Sequence, residues 1–142
     1  MDRKIRAGLI DANFVIALLN RKDALHDSCK DTIRRVLCSQ FITTWAVITE
    51  SMYFAGAEIG VSAQQELCNL IKDGTYEVAP TPDIVLIRRY LTEYADMPLD
   101  FADATLAAHA MQSGIRHIYT HDEHFRAVRV PIDSDRVLDV IA

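Results

Sequence analysis

Residues 5–19 read IRAGLIDANFVIALL, and the change of pattern within this stretch indicates the fold class. Ile5 to Ile10 form a short, largely apolar run, as in a strand that is buried in a parallel sheet. The run stops at Asp11, and the segment from Phe14 to Leu19 is typical of a helix. Strand-to-helix units that follow one another along a chain build a parallel sheet covered by helices. The stretch therefore predicts an α/β fold.

The rest of the chain continues this alternation of short strands and helices. Apolar periodicity predicts helices over residues 23–37, 45–57 and 100–111, and two more that begin near residues 62 and 81. Short apolar runs predict strands at residues 41–42, 76–79 and 118–119. No internal repeat, low-complexity tract or linker interrupts the pattern. We therefore expect residues 1–142 to form a single domain around a central, mostly parallel, short-stranded sheet.

Capping residues mark several helix starts. Thr44 can cap the third helix, and Ser62 with Gln65 forms a capping-box pattern for the fourth. Thr81, which precedes a proline, predicts the start of the fifth helix. The buried face of that helix is predicted to contain Ile84, Ile87 and Leu91. Residues 121–142 predict a short helical turn, a strand near residues 128–130 and a closing element of either type.

The composition is that of a globular domain, with half of the residues apolar and a quarter charged. No apolar run approaches the roughly 20 residues of a membrane-spanning helix, and the first residues are too polar for a signal peptide. We therefore expect a cytoplasmic protein without membrane contact. Cys29, Cys38 and Cys68 lie far apart in the sequence and are expected to be reduced, mostly buried thiols. The net charge of −5 argues against nucleic-acid binding through a general positive charge, but it allows an acidic catalytic site.

Several carboxylates occupy positions where they could meet. Asp11 and Asp122 each stand where a predicted strand gives way to a helix, and open parallel sheets bind ligands at that edge. Glu50 lies inside a helix among apolar residues, where a lone ionised glutamate would be costly. Asp103 is one helical turn beyond Asp100 and can point the same way. If the sheet brings these elements together, the carboxylates converge on one pocket.

Each aspartate also has a simpler explanation as a helix cap. Asp11 could cap the helix that follows it, and Asp100 with Asp103 could form a cap and a favourable first-turn charge. Asp122 lies inside a capping-box pattern of its own. Glu50 is harder to explain in this way. Because clustered acids repel one another unless a cation is present, convergence predicts a metal site, and an all-oxygen ligand set suits Mg²⁺ or Mn²⁺.

Zinc is the less favoured metal. His121 and His124 are three residues apart, but no third histidine or cysteine stands near them in the sequence. Both are therefore expected to be surface residues, and no histidine is assigned a catalytic role.

Four motifs occur in a characteristic order: LIDANFVIALL around Asp11, FITTWAVITES around Glu50, MPLDFADATLAAHA around Asp103 and IYTHDEHF around Asp122. Together they resemble the PIN-domain ribonucleases, and within that family the bacterial VapC-type toxins of toxin-antitoxin pairs. The resemblance implies a PIN-like α/β/α sandwich and an RNA substrate. It also implies one or two Mg²⁺ or Mn²⁺ ions, a homodimer and a small antitoxin protein as inhibitor.

The resemblance also implies roles for particular residues. Asp11, Glu50, Asp103 and Asp122 match the acidic catalytic quartet, and Asp100 matches a further metal-binding aspartate of some members. Small polar residues near the metal correspond to Asn13 and Thr120. Closeness to Asp122 in the sequence suggests RNA-backbone contacts for Arg116 and Arg126. Residues 130–142, VPIDSDRVLDVIA, do not follow the family pattern.

The expected reaction is hydrolysis of a phosphodiester bond by metal-activated water. A haloacid-dehalogenase-type phosphatase is disfavoured because Asp11-Ala12-Asn13 lacks the second acid of its Asp-x-Asp pair. A response-regulator receiver would need a late lysine, whereas the last lysine is Lys72. Two alternatives stay open: an RNA-binding or assembly module that keeps its acids, and a housekeeping RNA-processing nuclease without an antitoxin.

Overall fold

A computed structural model describes residues 3–142. Five parallel strands form one sheet in the order β3-β2-β1-β4-β5, and six α-helices connect or cover them. The strands are β1 (Arg3–Ile10), β2 (Val36–Thr43), β3 (Tyr76–Val78), β4 (His117–Tyr119) and β5 (Asp139–Ile141). The helices are α1 (Ala12–Leu19), α2 (His26–Arg35), α3 (Trp45–Glu58), α4 (Val61–Lys72), α5 (Ile84–Glu93) and α6 (Phe101–Ser113), and a 3₁₀ turn covers Glu123–Arg126.

Apolar cores lie on both faces of the sheet. Successive strand residues point to opposite faces, so Leu9 packs into one core and Ile10 into the other. The core with Leu9 includes α5 and the alanine-rich α6, and the core with Ile10 includes α1, α2 and α4. Helix α3 contributes to both cores through Val47 and Ile48. This arrangement is the α/β/α sandwich that the sequence predicts.

The boundary between α2 and β2 corrects the sequence prediction. The helix ends at Arg35, and residues 36 and 37, predicted as its last turn, are the first two residues of β2. The register with β1 explains the change, because pairing begins at Arg3 with Val36 and continues to Leu9 with Ile42. Ladder hydrogen bonds along this length outweigh the helical periodicity, which is only a weak preference.

Two helix starts also differ from the prediction. Helix α4 begins at Val61, after Gly60 with a φ of 122°, and no side chain caps it, so Ser62 is not its cap. Asp83, not Thr81, caps α5 by accepting a hydrogen bond from the Val85 backbone N–H at 2.8 Å. The helix therefore starts later than predicted. Ile84 stands in its first turn and is 64% exposed rather than buried.

The last segment is mostly irregular. Residues 128–130 do not form the predicted strand, and an isolated bridge joins Arg129 to Val137. The closing element is β5, which extends the sheet beside β4. Cys29 is buried, but Cys68 is exposed and Cys38 is half-buried, so the expectation of mostly buried thiols is wrong for Cys68. Within residues 3–142, none of the helices combines the length and apolar character needed to cross a membrane.

Candidate metal centre

The predicted acids line one cavity of about 370 Å³ at the carboxyl edge of the sheet. Asp11 directly follows β1, and Asp122 lies three residues after the end of β4, the strand beside it. Glu50 is supplied by α3, which follows β2. The start of α6 supplies Asp100 and Asp103. Because neighbouring parallel strands end at the same edge, residues distant in the sequence meet there.

Asp11 is the most enclosed of these acids, with 4% of its surface exposed. Its Oδ1 accepts a hydrogen bond from the Ala12 backbone N–H at 2.7 Å, so the residue also caps α1. Burial raises the pKa of Asp11 to about 6, and the negative charges of Glu50 and Asp122 add to this shift. The hydrogen bonds from Thr120 and Ala12 favour the charged form of Asp11 and so oppose this rise in its pKa. Asp11 thus bears an unfavourable charge near neutral pH.

Asp100 and Asp103 form a capping box at the start of α6. The Asp103 backbone N–H donates to Asp100 Oδ1 at 2.8 Å, and the Asp100 N–H donates to Asp103 Oδ2 at 3.1 Å. Each carboxylate thus caps the helix with one oxygen and can present the other to the cavity. Asp103 is buried, and its pKa is raised well above the ordinary value by that burial and then by the charge of Asp11.

Glu50 and Asp122 complete the ring of acids. Burial raises the pKa of Glu50, and the charge of Asp100 adds to the effect. Asp122 starts the 3₁₀ turn, and its Oδ1 accepts from the His124 backbone N–H at 2.9 Å. The same oxygen lies 3.0 Å from His124 Nδ1. Asp122 is therefore held at the rim of the cavity, close to a histidine.

The two predicted neighbours of the metal lie beside the acids. Thr120 is buried, and its hydroxyl donates to Asp11 Oδ2 at 2.8 Å. Thr120 Oγ1 also accepts from the Asp122 backbone N–H at 3.0 Å, so Thr120 links the Asp11 carboxylate to the backbone of Asp122. Asn13 Nδ2 donates to Asp11 Oδ2 at 3.3 Å, and Asn13 Oδ1 accepts from the His121 N–H at 3.1 Å. Both residues orient the acids.

The two arginines suggested for RNA contacts lie apart from each other. Arg116 precedes β4 and therefore stands at the opposite edge of the sheet, where its Nη1 donates to the Val130 carbonyl at 2.8 Å. The length of β4 separates it from Asp122, so the structure does not bring Arg116 to the acids. Arg126 ends the 3₁₀ turn, and its Nε donates to Glu123 Oε2 at 2.7 Å.

The cavity wall also contains residues to which the sequence assigned no role. Ile16, Phe54, Pro98 and His124 line it together with the acids. Phe54 stands one helical turn after Glu50, and this spacing could have identified it. The prediction that His121 is a surface residue is wrong, because its ring is partly buried and stacks on Phe14 at 4.7 Å. Its Nε2 also lies 3.1 Å from Cys29 Sγ.

The donor set fits a hard divalent cation. Five carboxylates line the cavity, and of the described residues that line it none is lysine or arginine. Within residues 3–142, no three acidic, histidine or cysteine side chains already converge as a metal-binding group. A cation in the cavity would be held by carboxylate oxygens that the caps leave free, such as Asp103 Oδ1. Uncompensated negative charge around oxygen ligands is the environment that Mg²⁺ or Mn²⁺ favours.

Comparisons with known proteins agree with this architecture. Residues 8–131 match the family model of the PIN domain. The chain is similar to Mycobacterium tuberculosis VapC20, described as a sarcin-ricin-loop-cleaving toxin, with 22% identity and a TM-score of 0.76, over 86% of this chain and 95% of that one. It is also similar to VapBC2 of Rickettsia felis, solved with a promoter DNA fragment, with 12% identity and a TM-score of 0.64, over 96% of this chain and 99% of the other.

A third similar structure is PAE2754 of Pyrobaculum aerophilum, with 21% identity and a TM-score of 0.57, over 87% of this chain and 84% of that one. At these identities, the structural likeness shows a shared fold. No significant match was found among curated proteins.

Proposed function

This chain belongs to the PIN domain family, and from that premise we propose that it is an endoribonuclease dependent on Mg²⁺ or Mn²⁺. The observation that carries the proposal is the shared cavity, where carboxylates from distant parts of the chain surround one space. Asp11 and Asp103 are buried there although burial and mutual repulsion oppose their ionisation. A purely structural role would leave this repulsion without compensation, whereas a bound cation would relieve it.

The acids have different tasks in this proposal. Asp11, Glu50, Asp103 and Asp122 are the catalytic ligands, and Asp100 is a fifth ligand at the rim. Thr120 and Asn13 hold Asp11 in one orientation through hydrogen bonds to its Oδ2. One or two bound Mg²⁺ or Mn²⁺ ions would activate a water molecule and neutralise charge that develops on the phosphate. The pre-set orientation of Asp11 then lowers the cost of assembling the site.

Water is the proposed nucleophile. The described residues that line the cavity include no serine, cysteine, threonine or lysine that could act as a nucleophile. Its carboxylates would be held by the metal, which supports water as the attacking group. Attack by water on phosphorus would yield a 5′-phosphate and a 3′-hydroxyl. Products that end in a 2′,3′-cyclic phosphate would contradict this mechanism, because they require attack by the ribose hydroxyl.

We further propose a toxin role with an antitoxin protein as inhibitor, and a homodimer as the assembled form. VapC20 is described as a toxin that cleaves the sarcin-ricin loop, and the likeness to it supports both RNA as substrate and the toxin role. The likeness to VapBC2 supports a protein partner. Co-expression with the product of an adjacent small gene tests this role, since an antitoxin should suppress both growth arrest and RNA cleavage.

The nuclease proposal is tested by incubating the purified protein with total RNA in Mg²⁺, in Mn²⁺ or in EDTA. We expect cleavage with either metal, none in EDTA, and a loss of about a hundredfold or more in Asp11→Asn and Asp103→Asn. Asp96→Asn is the matched control, because Asp96 is exposed and lies outside the cavity. Equal cleavage in all conditions would refute the metal site. RNA binding without cleavage would instead favour the binding-module alternative.

A further inference from the structure

A groove leads away from the acidic cavity between α1 and α3. The acidic cavity is lined by Ile16 of α1 and Phe54 of α3. A second cavity, of about 330 Å³, is lined by Leu19 and Glu58, which lie three and four residues further along the same two helices. Residues at these spacings follow each other on one helix face, about 5 Å apart. The two cavities are therefore successive along the same pair of helices, and together they are called the groove between α1 and α3.

The wall of this groove next to the acids is aromatic. Phe54 lies on the same face of α3 as Glu50, and 40% of its surface is exposed. An aromatic ring beside a phosphodiester site can stack on a nucleotide base, whatever the base identity. A base can reach such a ring only when it is unpaired and turned out of a helix.

The far end of the groove carries positive charge. Arg21 and Lys22 line the second cavity, and both side chains are exposed. Within residues 3–142 neither takes part in an ion pair, in contrast to Arg35 and Arg126. Glu58 is the one acid of that cavity, so two cations face one carboxylate. This end of the groove can attract a phosphate although the whole chain carries a net charge of −5.

We propose that the groove between α1 and α3 binds a single-stranded stretch of RNA next to the scissile phosphate. One unpaired base stacks on Phe54, and a backbone phosphate contacts Arg21 and Lys22. The inference rests on the proposed nuclease function and adds to it a preference for unpaired nucleotides. Along the groove, the acids are followed by the Phe54 ring and then by the two cations. This order matches a phosphate, a base and a second phosphate of one RNA strand. This match favours RNA over a protein segment as the occupant.

The stacking contact is tested by RNA binding in a cleavage-deficient Asp103→Asn background with Mg²⁺. The probe is a short fluorescent single-stranded RNA of mixed sequence, and fluorescence anisotropy gives its Kd. We expect Phe54→Leu to weaken binding about tenfold, because it keeps apolar volume and removes the stacking surface. Phe54→Trp should restore binding. The matched control is Trp45→Leu, since Trp45 is 54% exposed and, among the described residues, lines neither cavity.

The same assay tests the preference for single strands. A blunt duplex of the same RNA should bind at least about tenfold more weakly than the single strand, because its bases cannot reach Phe54. Equal affinity for both forms would overturn the preference. Equal losses in Phe54→Leu and Trp45→Leu, with unchanged melting temperatures, would overturn the stacking contact.

The phosphate contact is tested by salt dependence. Each phosphate neutralised on a single strand adds about 0.7 to the slope of log K against log salt. The double variant Arg21→Gln/Lys22→Gln removes the contact to one phosphate and should lower the magnitude of the slope by about 0.7. Lys30→Gln/Arg34→Gln is the matched control, because these exposed residues line a separate depression on α2. An equal change in both double variants would mean general attraction and would overturn the contact.

These outcomes also separate the inference from the nuclease proposal. If the wild-type protein cleaves RNA with Mg²⁺ but the groove variants in the Asp103→Asn background bind RNA as the controls do, the inference fails alone. In that case the groove is left for another occupant, such as a protein segment. If the groove variants lose binding but no protein cleaves RNA, the nuclease proposal fails while the binding surface stands. Absence of measurable binding by the parent protein would overturn the inference.

Discussion

At the scale of single residues, the helix caps are compatible with the metal-binding role that the sequence offers as an alternative. Asp11 caps α1 with Oδ1, while its Oδ2 joins the polar network with Thr120 and Asn13. Among the hydrogen bonds within residues 3–142, the Asp103 side chain uses only its Oδ2, which caps α6. A carboxylate has two oxygens, so capping and metal binding do not exclude each other. The geometry of these caps instead orients the acids.

Removal of one buried charge should stabilise the protein without metal. In Asp103→Asn, the amide oxygen can still accept from the Asp100 N–H, and the repulsion from Asp11 disappears. We expect the free energy of unfolding in EDTA near neutral pH to rise by about 1–2 kcal/mol. Mn²⁺ should raise the melting temperature of the wild type more than that of the variant, because the variant lacks one ligand. Thermal unfolding with EDTA and with Mn²⁺ measures both effects.

Asp96→Asn provides the comparison for this prediction, since it removes a charge from an exposed position outside the cavity. Its stability without metal and its response to Mn²⁺ should match the wild type. An identical Mn²⁺ shift in Asp103→Asn and the wild type would contradict a shared metal site.

At the scale of elements, the positions of the helix starts place the acids. Helix α3 carries Glu50, and its start is held by Thr44, which is buried. Thr44 Oγ1 accepts from the Val47 backbone N–H at 3.4 Å and lies 2.8 Å from Thr105 Oγ1 of α6. Since the Thr105 hydroxyl donates to the Ala102 carbonyl, the Thr44 hydroxyl is the donor between the two threonines. This contact ties the helix with Glu50 to the helix with Asp103.

Thr44→Val should destabilise the fold by about 1–2 kcal/mol, because valine keeps the shape but loses the cap and the bond to Thr105. Chemical denaturation measures the loss. Thr49→Val is the matched control, because Thr49 is exposed and, among the hydrogen bonds of residues 3–142, its hydroxyl bonds only to the Trp45 carbonyl of the same helix. The control should change stability by less than about 0.5 kcal/mol. Equal effects in the two variants would show that the link between α3 and α6 contributes little.

At the scale of the whole molecule, the order of the strands creates the site. Strand β1 lies between β2 and β4, so the element after each of these strands begins near the same edge. The convergence makes the metal-free protein sensitive to pH. The pKa of Asp11 is about 6 in the folded protein and about 3.9 in an unfolded chain. The folded state thus binds this proton more tightly, and the pKa of Asp103 is raised in the same direction.

Without metal, the stability contributed by these two acids should therefore fall as the pH rises. The loss begins near the unfolded pKa of about 4 and continues through about 6 for Asp11, and Asp103 extends it to higher pH. Relative to Asp11→Asn/Asp103→Asn, the wild type should lose about 2–3 kcal/mol between about pH 4 and about pH 8. Urea unfolding in EDTA at several pH values measures this difference, in which titrating groups remote from the cavity cancel. Mn²⁺ should reduce the loss, and parallel pH profiles in EDTA would contradict the repulsion.

Much of the architecture could be predicted because its signals are local. The α/β class follows from the strand-to-helix change at Asp11, and the start of α3 follows from Thr44. The prediction failed where a distant partner decides the structure, as at Val36, which pairs with Arg3 of β1. His121 was missed for the same reason, since its neighbours Phe14 and Cys29 are remote in the sequence. The local pattern of residue types contains no information about such distant contacts.

The sequence by itself determined the family, the class of fold and the acids that stand at strand ends and helix starts. The fold class and the local positions of the acids depend on residue type and on neighbours within about one helical turn, and the family is indicated by the order of four such motifs along the chain. Only the tertiary structure decided that Asp11, Glu50 and Asp103 share a cavity, that Arg116 stands at the opposite edge and that Phe54 borders the acids. The physical reason is that strand order and helix packing arise from contacts between distant residues. These contacts determine which acids are buried, how strongly the acids repel one another and where the groove lies.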